Sequence, residues 1–182
     1  MGMRCSLLGS LALLAVMAAE ATADDVPTAA TRSLLRELAD GRRSFESLID
    51  EDRGLVVIDH AGGEADRPDV ERRLCTPADR KGQLVRLQRA IPSYLTPDDE
   101  GVVHAWCRNR PGPPTCVLEG FMEFVPTVTL TFAVDPVRGL RLREVMAVDH
   151  VGVAEDVQRS EKRRIRRARA RLAATTCTAT RP

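Results

Sequence analysis

Three sets of side chains in this chain have the types and spacing to do chemistry. Histidine comes first, with His60, His104 and His150 as the full complement. Two of them end apolar runs in similar words, Val56-Val57-Ile58-Asp59-His60 and Met146-Ala147-Val148-Asp149-His150. If those runs were neighbouring strands, two imidazoles and a carboxylate could form a metal site or an acid/base pair working near neutral pH. Period-2 alternation, however, sends the Asp and the His of each dipeptide to opposite faces of a strand. Neither dipeptide is a ready-made dyad, and polar strand ends facing water are the plainer reading. There is no G-x-S-x-G, and Gly62-Gly63 is a turn signal rather than a phosphate loop. No catalytic residue, metal or cofactor is assigned, which leans against an enzyme.

Cysteine comes second. Residues 1–23 have a basic start at Arg4, an apolar run from Leu7 to Ala19, and the small residues Ala21-Thr22-Ala23 ahead of two acids. That is the form of a secretory signal peptide, too short for a comfortable membrane span, and no second long apolar segment follows. A secreted or periplasmic protein without a transmembrane segment is expected. Cys5 leaves with the signal, and Cys75, Cys107, Cys116 and Cys177 remain. An even number after export favours disulfides. Cys107 and Cys116 flank one Pro-rich loop and should face each other across a hairpin; Cys75 with Cys177 follows by elimination. A four-thiolate zinc site is the alternative, but no C-x-x-C spacing supports it.

The third set is the basic tail. Glu155 to Pro182 holds nine Lys/Arg against three acids, whereas residues 24–154 hold 17 basic and 22 acidic groups. A net charge of +1 conceals a dipolar molecule. Ala154, Val157, Ile165, Ala168 and Leu172 fall at helical spacing, a narrow apolar stripe under a broad basic face. Either the stripe packs on the body with its arginines solvated or paired, or the face carrying Arg163, Arg164, Arg166 and Arg167 binds an anionic surface, polymer or acidic protein. Nucleic acid is set aside, because an exported chain rarely meets it and Trp106, Tyr94 and four phenylalanines offer little for stacking.

These groups are positioned by helices and strands that the patterning predicts. Residues 28–40 read as a helix with Leu34, Leu35 and Leu38 as its stripe and Gly41 as its end. Ser44 caps a shorter helix with Phe45, Leu48 and Ile49 inward, which makes a helical hairpin. Residues 55–59 form a buried strand. Thr76-Pro77-Ala78-Asp79 opens a helix whose inner face is Leu84, Leu87 and Ile91 and which Pro92 should stop. The stretch 101–153 is strand-forming: Val128, Leu130, Phe132 and Val134 alternate with threonines, and a turn at 135–139 leads into Leu140, Leu142, Met146 and Val148. Residues 116–134 read as one long middle strand bent near Gly120 or Pro126, with a tight hairpin as the alternative. In the long-strand reading Glu119 and Glu123 could meet Arg141 and Arg143 across the sheet.

With Phe45-x-x-Leu48-Ile49 followed by Gly54-Leu55-Val56-Val57-Ile58, this element order resembles the cone-shaped domains of the nuclear transport factor 2-like superfamily. The resemblance spans roughly residues 28–151. It implies helices closing one side of a curved sheet, in a superfamily that hosts isomerases, dehydratases and non-catalytic binding modules. The Asp/His pairs that its enzymes project into the cone have no clear counterpart here.

The expected fold class is therefore α+β, with N-terminal helices packed on a curved, mostly antiparallel sheet, and a C-terminal basic helix. Residues 24–153 would form one domain, with 154–182 as the attached helix and tail. The expected function is a non-catalytic binding or accessory module. Anionic-surface binding by the tail is the first alternative, and an enzyme working in a concave sheet pocket is the second.

Overall fold

A computed structural model describes residues 25–60, 69–97, 99–101, 103–108, 112–119, 126–148 and 155–177. The expected signal peptide, Glu123 and His150 lie outside them.

Six strands form one mixed sheet: β1 (Leu55–His60), β2 (Val70–Leu74), β3 (Ala105–Arg108), β4 (Thr115–Leu118), β5 (Thr127–Asp135) and β6 (Gly139–Val148), in the order β2-β1-β6-β5-β4-β3. β1 runs parallel to β6, and every other neighbouring pair is antiparallel. Three helices complete the fold: α1 (Asp25–Ala39), α2 (Pro77–Leu95) and α3 (Glu155–Ala173).

Alternation assigns the layers. Leu55 and Val57 of β1, Val128, Leu130 and Phe132 of β5, and Leu142, Val145 and Ala147 of β6 share a core with Leu34, Leu35 and Leu38 of α1 and Leu84, Leu87, Ile91 and Tyr94 of α2. The opposite face of β1 and β6 presents Ile58 and Val148 to Ile165, Ala168 and Leu172 of α3. The architecture is helix layer, sheet, helix.

Several expectations are corrected. The sheet is open; it neither curls nor closes into a cone, so the likeness to the nuclear transport factor 2-like superfamily and the curved sheet both fail. β4 and β5 are two antiparallel neighbours, with Cys116 opposite Leu130, rather than one long bent strand. Without that strand nothing supplies the bend on which curvature was argued. β5 also separates β4 from β6, so Glu119 has no route to Arg141 or Arg143. Those arginines turn to the loop before β1, Arg141 donating to the Ser47 carbonyl and Arg143 lying 3.7 Å from Asp50.

The second helix of the expected hairpin shrinks to a 3-10 turn, Glu46–Leu48. Ile49 leaves it in extended backbone and bridges Leu142 of β6, which ends any helix there. α2, by contrast, runs past Pro92 to Leu95. A proline removes one helical hydrogen bond; the last turn is held down by buried Ile91 and by Tyr94, whose hydroxyl donates to the Pro126 carbonyl at 2.8 Å. At the start of α2, Thr76 and Asp79 form a reciprocal capping box. Arg80, 1% exposed, donates to Glu46 and to the Cys75 carbonyl, tying this helix to the 3-10 turn.

Two disulfides close the structure, Cys107–Cys116 between directly paired residues of β3 and β4, and Cys75–Cys177 across 102 residues. The second is seated against Gly54, which has φ +62. A Cβ there would lie 2.6 Å from both Cys177 Sγ and the Leu74 carbonyl oxygen.

In a chain-entropy description, the Cys75→Ser/Cys177→Ser double variant should lose about 4 to 5 kcal/mol of stability for a loop of this length. Denaturant titration checks it; a loss under about 1 kcal/mol would show that the long loop closure contributes little. Gly54→Ala should cost about 2 kcal/mol or more, from the left-handed backbone and the overpacked contact together.

Candidate anion-binding face of the C-terminal helix

α3 is seated by its stripe. Ile165, Ala168 and Leu172 are buried at one- to two-turn spacing, and Val56 and Met146 pack beside them. The remaining positions sort by angle around the helix.

Arginines on the two flanks of the stripe find carboxylates on the sheet. Arg169 forms a bidentate pair with Glu144 of β6. On the other flank Arg164 pairs with Asp69 and lies 3.4 Å from Glu71, while Arg171 donates to Glu71 at 2.5 Å. Glu71 belongs to β2, a strand that patterning missed, because Val70-Glu71-Arg72-Arg73-Leu74 carries too much charge to show apolar alternation. Here the charged positions are what face the helix: Glu71 is opposite Ile58 and Arg73 opposite Val56.

His60 sits beneath this flank, with its side chain 2% exposed. Its Nε2 is 2.8 Å from Glu71 Oε1, and its Nδ1 bonds Glu161 Oε1 of α3. Both ring nitrogens therefore face carboxylate oxygens. The site joins β1, β2 and α3. Burial opposes ionisation of Glu71, but hydrogen bonds from Arg171 and His60, and the charges of both, hold its carboxyl below the ordinary value of 4.5.

The end of α3 is capped as well. Arg73 donates through Nε and Nη2 to the Leu172 carbonyl at 3.2 and 2.6 Å, and through Nη1 to the Arg53 carbonyl. A cation at a helix C-terminus meets unpaired carbonyls and the negative end of the helix dipole. Four residues beyond the helix's last residue, Ala173, Cys177 staples the chain to Cys75.

What remains is the outward face. Lys162, Arg163, Arg166 and Arg167 are exposed, and none has a hydrogen-bond or ion-pair partner among the described residues. Of the four arginines singled out by sequence, the structure thus keeps Arg163, Arg166 and Arg167 together in solvent and draws Arg164 into the flank. Lys162 lies within the basic run 159–171 and joins these arginines through its i,i+4 relation to Arg166.

The runs ending in His60 and His150 do lie side by side, since β6 is the parallel neighbour of β1, but His150 itself is outside the described residues. His60 is bracketed by carboxylates and His104 precedes β3, on the far side of the sheet from β1; among the described residues no group of three or more His, Cys, Asp or Glu could hold a metal ion. Among the described residues, the sheet face under α1 and α2 is filled by Leu55, Leu130, Phe132 and Leu142, all at 0% exposure. No helix among the described residues is long and apolar enough to cross a membrane. Compared with protein-family models, curated proteins and solved structures, the chain matches none.

Ile165→Asp should destabilise the protein by about 1 to 3 kcal/mol or more, because a carboxylate would replace a buried methyl stripe. Unchanged urea unfolding would show that α3 does not pack. For Glu71 the sign is fixed by the lowered value: the stability from its ionised form is complete above 4.5 and is lost as pH falls through the depressed folded value. The stability gap between wild type and Glu71→Gln should narrow as pH falls below about 4.5 and through the depressed folded value. A gap that did not change with pH would refute the ionised pairing.

Proposed function

We propose that this protein is an exported, non-catalytic binding module that presents Lys162, Arg163, Arg166 and Arg167 to an extended anionic surface. One observation carries the reading. These four cations point into solvent without partners, on a helix whose other sides are committed to the apolar stripe, to Glu144 and to the Glu71–Asp69–His60 cluster. A rigid helix that exposes one row of unneutralised cations pays little ordering entropy on meeting a surface of repeated negative charges.

Export is supported by the basic start at Arg4, the apolar run from Leu7 to Ala19 and the two disulfides, which persist in oxidising compartments. A secreted or periplasmic protein meets lipid headgroups and acidic envelope polymers there.

The test compares wild type with Lys162→Gln/Arg163→Gln/Arg166→Gln/Arg167→Gln for co-sedimentation with phosphatidylglycerol vesicles and with an acidic wall polymer, across a salt series. At roughly 1 kcal/mol per cation near an anionic surface, the quadruple variant should bind at least about a hundredfold more weakly. Wild-type binding should fall with salt. Arg164→Gln/Arg171→Gln should keep most binding and lose stability instead. Equal binding by wild type and the quadruple variant, or none by either, would remove the outward face as the functional element.

A further inference from the structure

Beyond the outward face, the same side of the sheet holds a cleft of about 660 Å³ near the C-terminal end of α3, where Arg53, Arg73, Arg143 and Arg169 outnumber the two lining acids, Asp52 and Glu144. Its floor is one cross-strand row. Arg73 pairs with Val56, Val56 with Glu144, and Glu144 with Thr131. One wall is the end of α3 with Thr175 and Thr176, held by the Cys75–Cys177 bridge, and the other is the 50–54 turn that brings in Arg53.

Arg143 enters this cleft because of a bulge. Thr131 pairs with Glu144 and Phe132 with Leu142, so Arg143 is the extra residue on β6 with no partner on β5. A bulge re-aims side chains, and here Arg143 lines the cleft together with its neighbour Glu144.

The four guanidiniums are unequally satisfied. Arg169 is neutralised by Glu144, and Arg73 spends its donors on two backbone carbonyls. Arg53 and Arg143 make no hydrogen bond through their guanidiniums to any described residue; each has a distant ion pair with one shared carboxylate, Asp50, at 3.9 and 3.7 Å. Asp50 is itself partly occupied by the Asp52 N–H at 3.1 Å. The Arg143 side chain is 24% exposed, and its guanidinium donors without hydrogen-bond partners among the described residues open onto the cleft. Burial and the charges of Arg53 and Arg73 hold it below the ordinary arginine value against the pull of Asp50. Crowded like charges with vacant donors facing a cleft are the complement of an acceptor-only ligand.

We propose that this cleft is a binding site for a small oxyanion, a carboxylate or phosphate group, with Arg143 and Arg53 as its direct ligands and Arg73 adding positive field. The arginine fork geometry matches both anions bidentately. The site is separate from the outward face of α3 and does not depend on it.

Calorimetric titration of the full mature protein with inorganic phosphate, and separately with malonate, at constant ionic strength set by chloride, distinguishes the two sources of the anion. Saturable one-site binding of at least one probe is expected. Arg143→Gln and Arg53→Gln should each weaken it about tenfold or more, while the quadruple outward-face variant should stay within about twofold of wild type, the loss of one charge-assisted contact being worth that factor. Arg53 is 68% exposed in its side chain, so its variant should fold even if Arg143→Gln does not. No saturable binding of either probe, binding matched by chloride alone, or binding indifferent to Arg53→Gln would overturn the assignment.

Discussion

The burial of β1 on both faces is the constraint from which the rest of the structure follows. Leu55 and Val57 point to one side, Ile58 and His60 to the other, and every residue of the strand except Val56 is buried. Its neighbours are β2 and β6. A strand in that position needs a layer on each side, or half of its apolar surface stays in water. α1 and α2 supply one layer through leucines. The other is supplied by α3, the most highly charged helix in the chain, and that choice shapes everything on its face of the sheet.

Because the stripe of α3 is narrow, its seat depends on what borders it. Carboxylates from Glu144, Glu71 and Asp69 meet the flanking arginines, His60 links two strands to the helix through Glu71 and Glu161, and Arg73 caps the last turn. The exposed pairs contribute little one by one. The buried imidazole and the disulfide matter more, since one leaves unsatisfied polar groups if it is broken and the other limits the unfolded chain. The consequence is a sorted helix: charges near the sheet are neutralised and those opposite it are not. The same geometry that secures the fold therefore selects the surface available for binding.

Two cross-strand rows on this face carry different electrostatics. The Glu71–Ile58–Met146 row, with His60 above it, gathers acids against the middle of α3. The Arg73–Val56–Glu144 row, one step along, gathers arginines at the helix end, where a bulge adds Arg143. Two residues along each strand thus separate a saturated ionic seat from a cleft with donors to spare.

Local patterning in the chain determined a good deal of this. The leucines of α1, the Thr76-Pro77 start of α2, the alternation of β5, the Gly139 turn and the narrow stripe of α3 are all short-range signals, set by backbone geometry within one or two turns or strands. Cys107 and Cys116 could be paired because a single short loop lies between them. The arrangement of the sheet could not be read. Residues 116–134 contain no strong turn, so they looked like one strand, and a cone was built on that bend; the hairpin and the parallel insertion of β1 beside β6 are decided by which apolar faces find cover. β2 was invisible because its charges are satisfied only once α3 is in place. The partners of His60 lie 11 and 101 residues away, and whether Arg164 is bound or Arg163 free depends on which side of one helix meets a sheet formed elsewhere. Charge and periodicity are local properties of a chain, whereas neutralisation and burial belong to contacts between segments that only folding brings together.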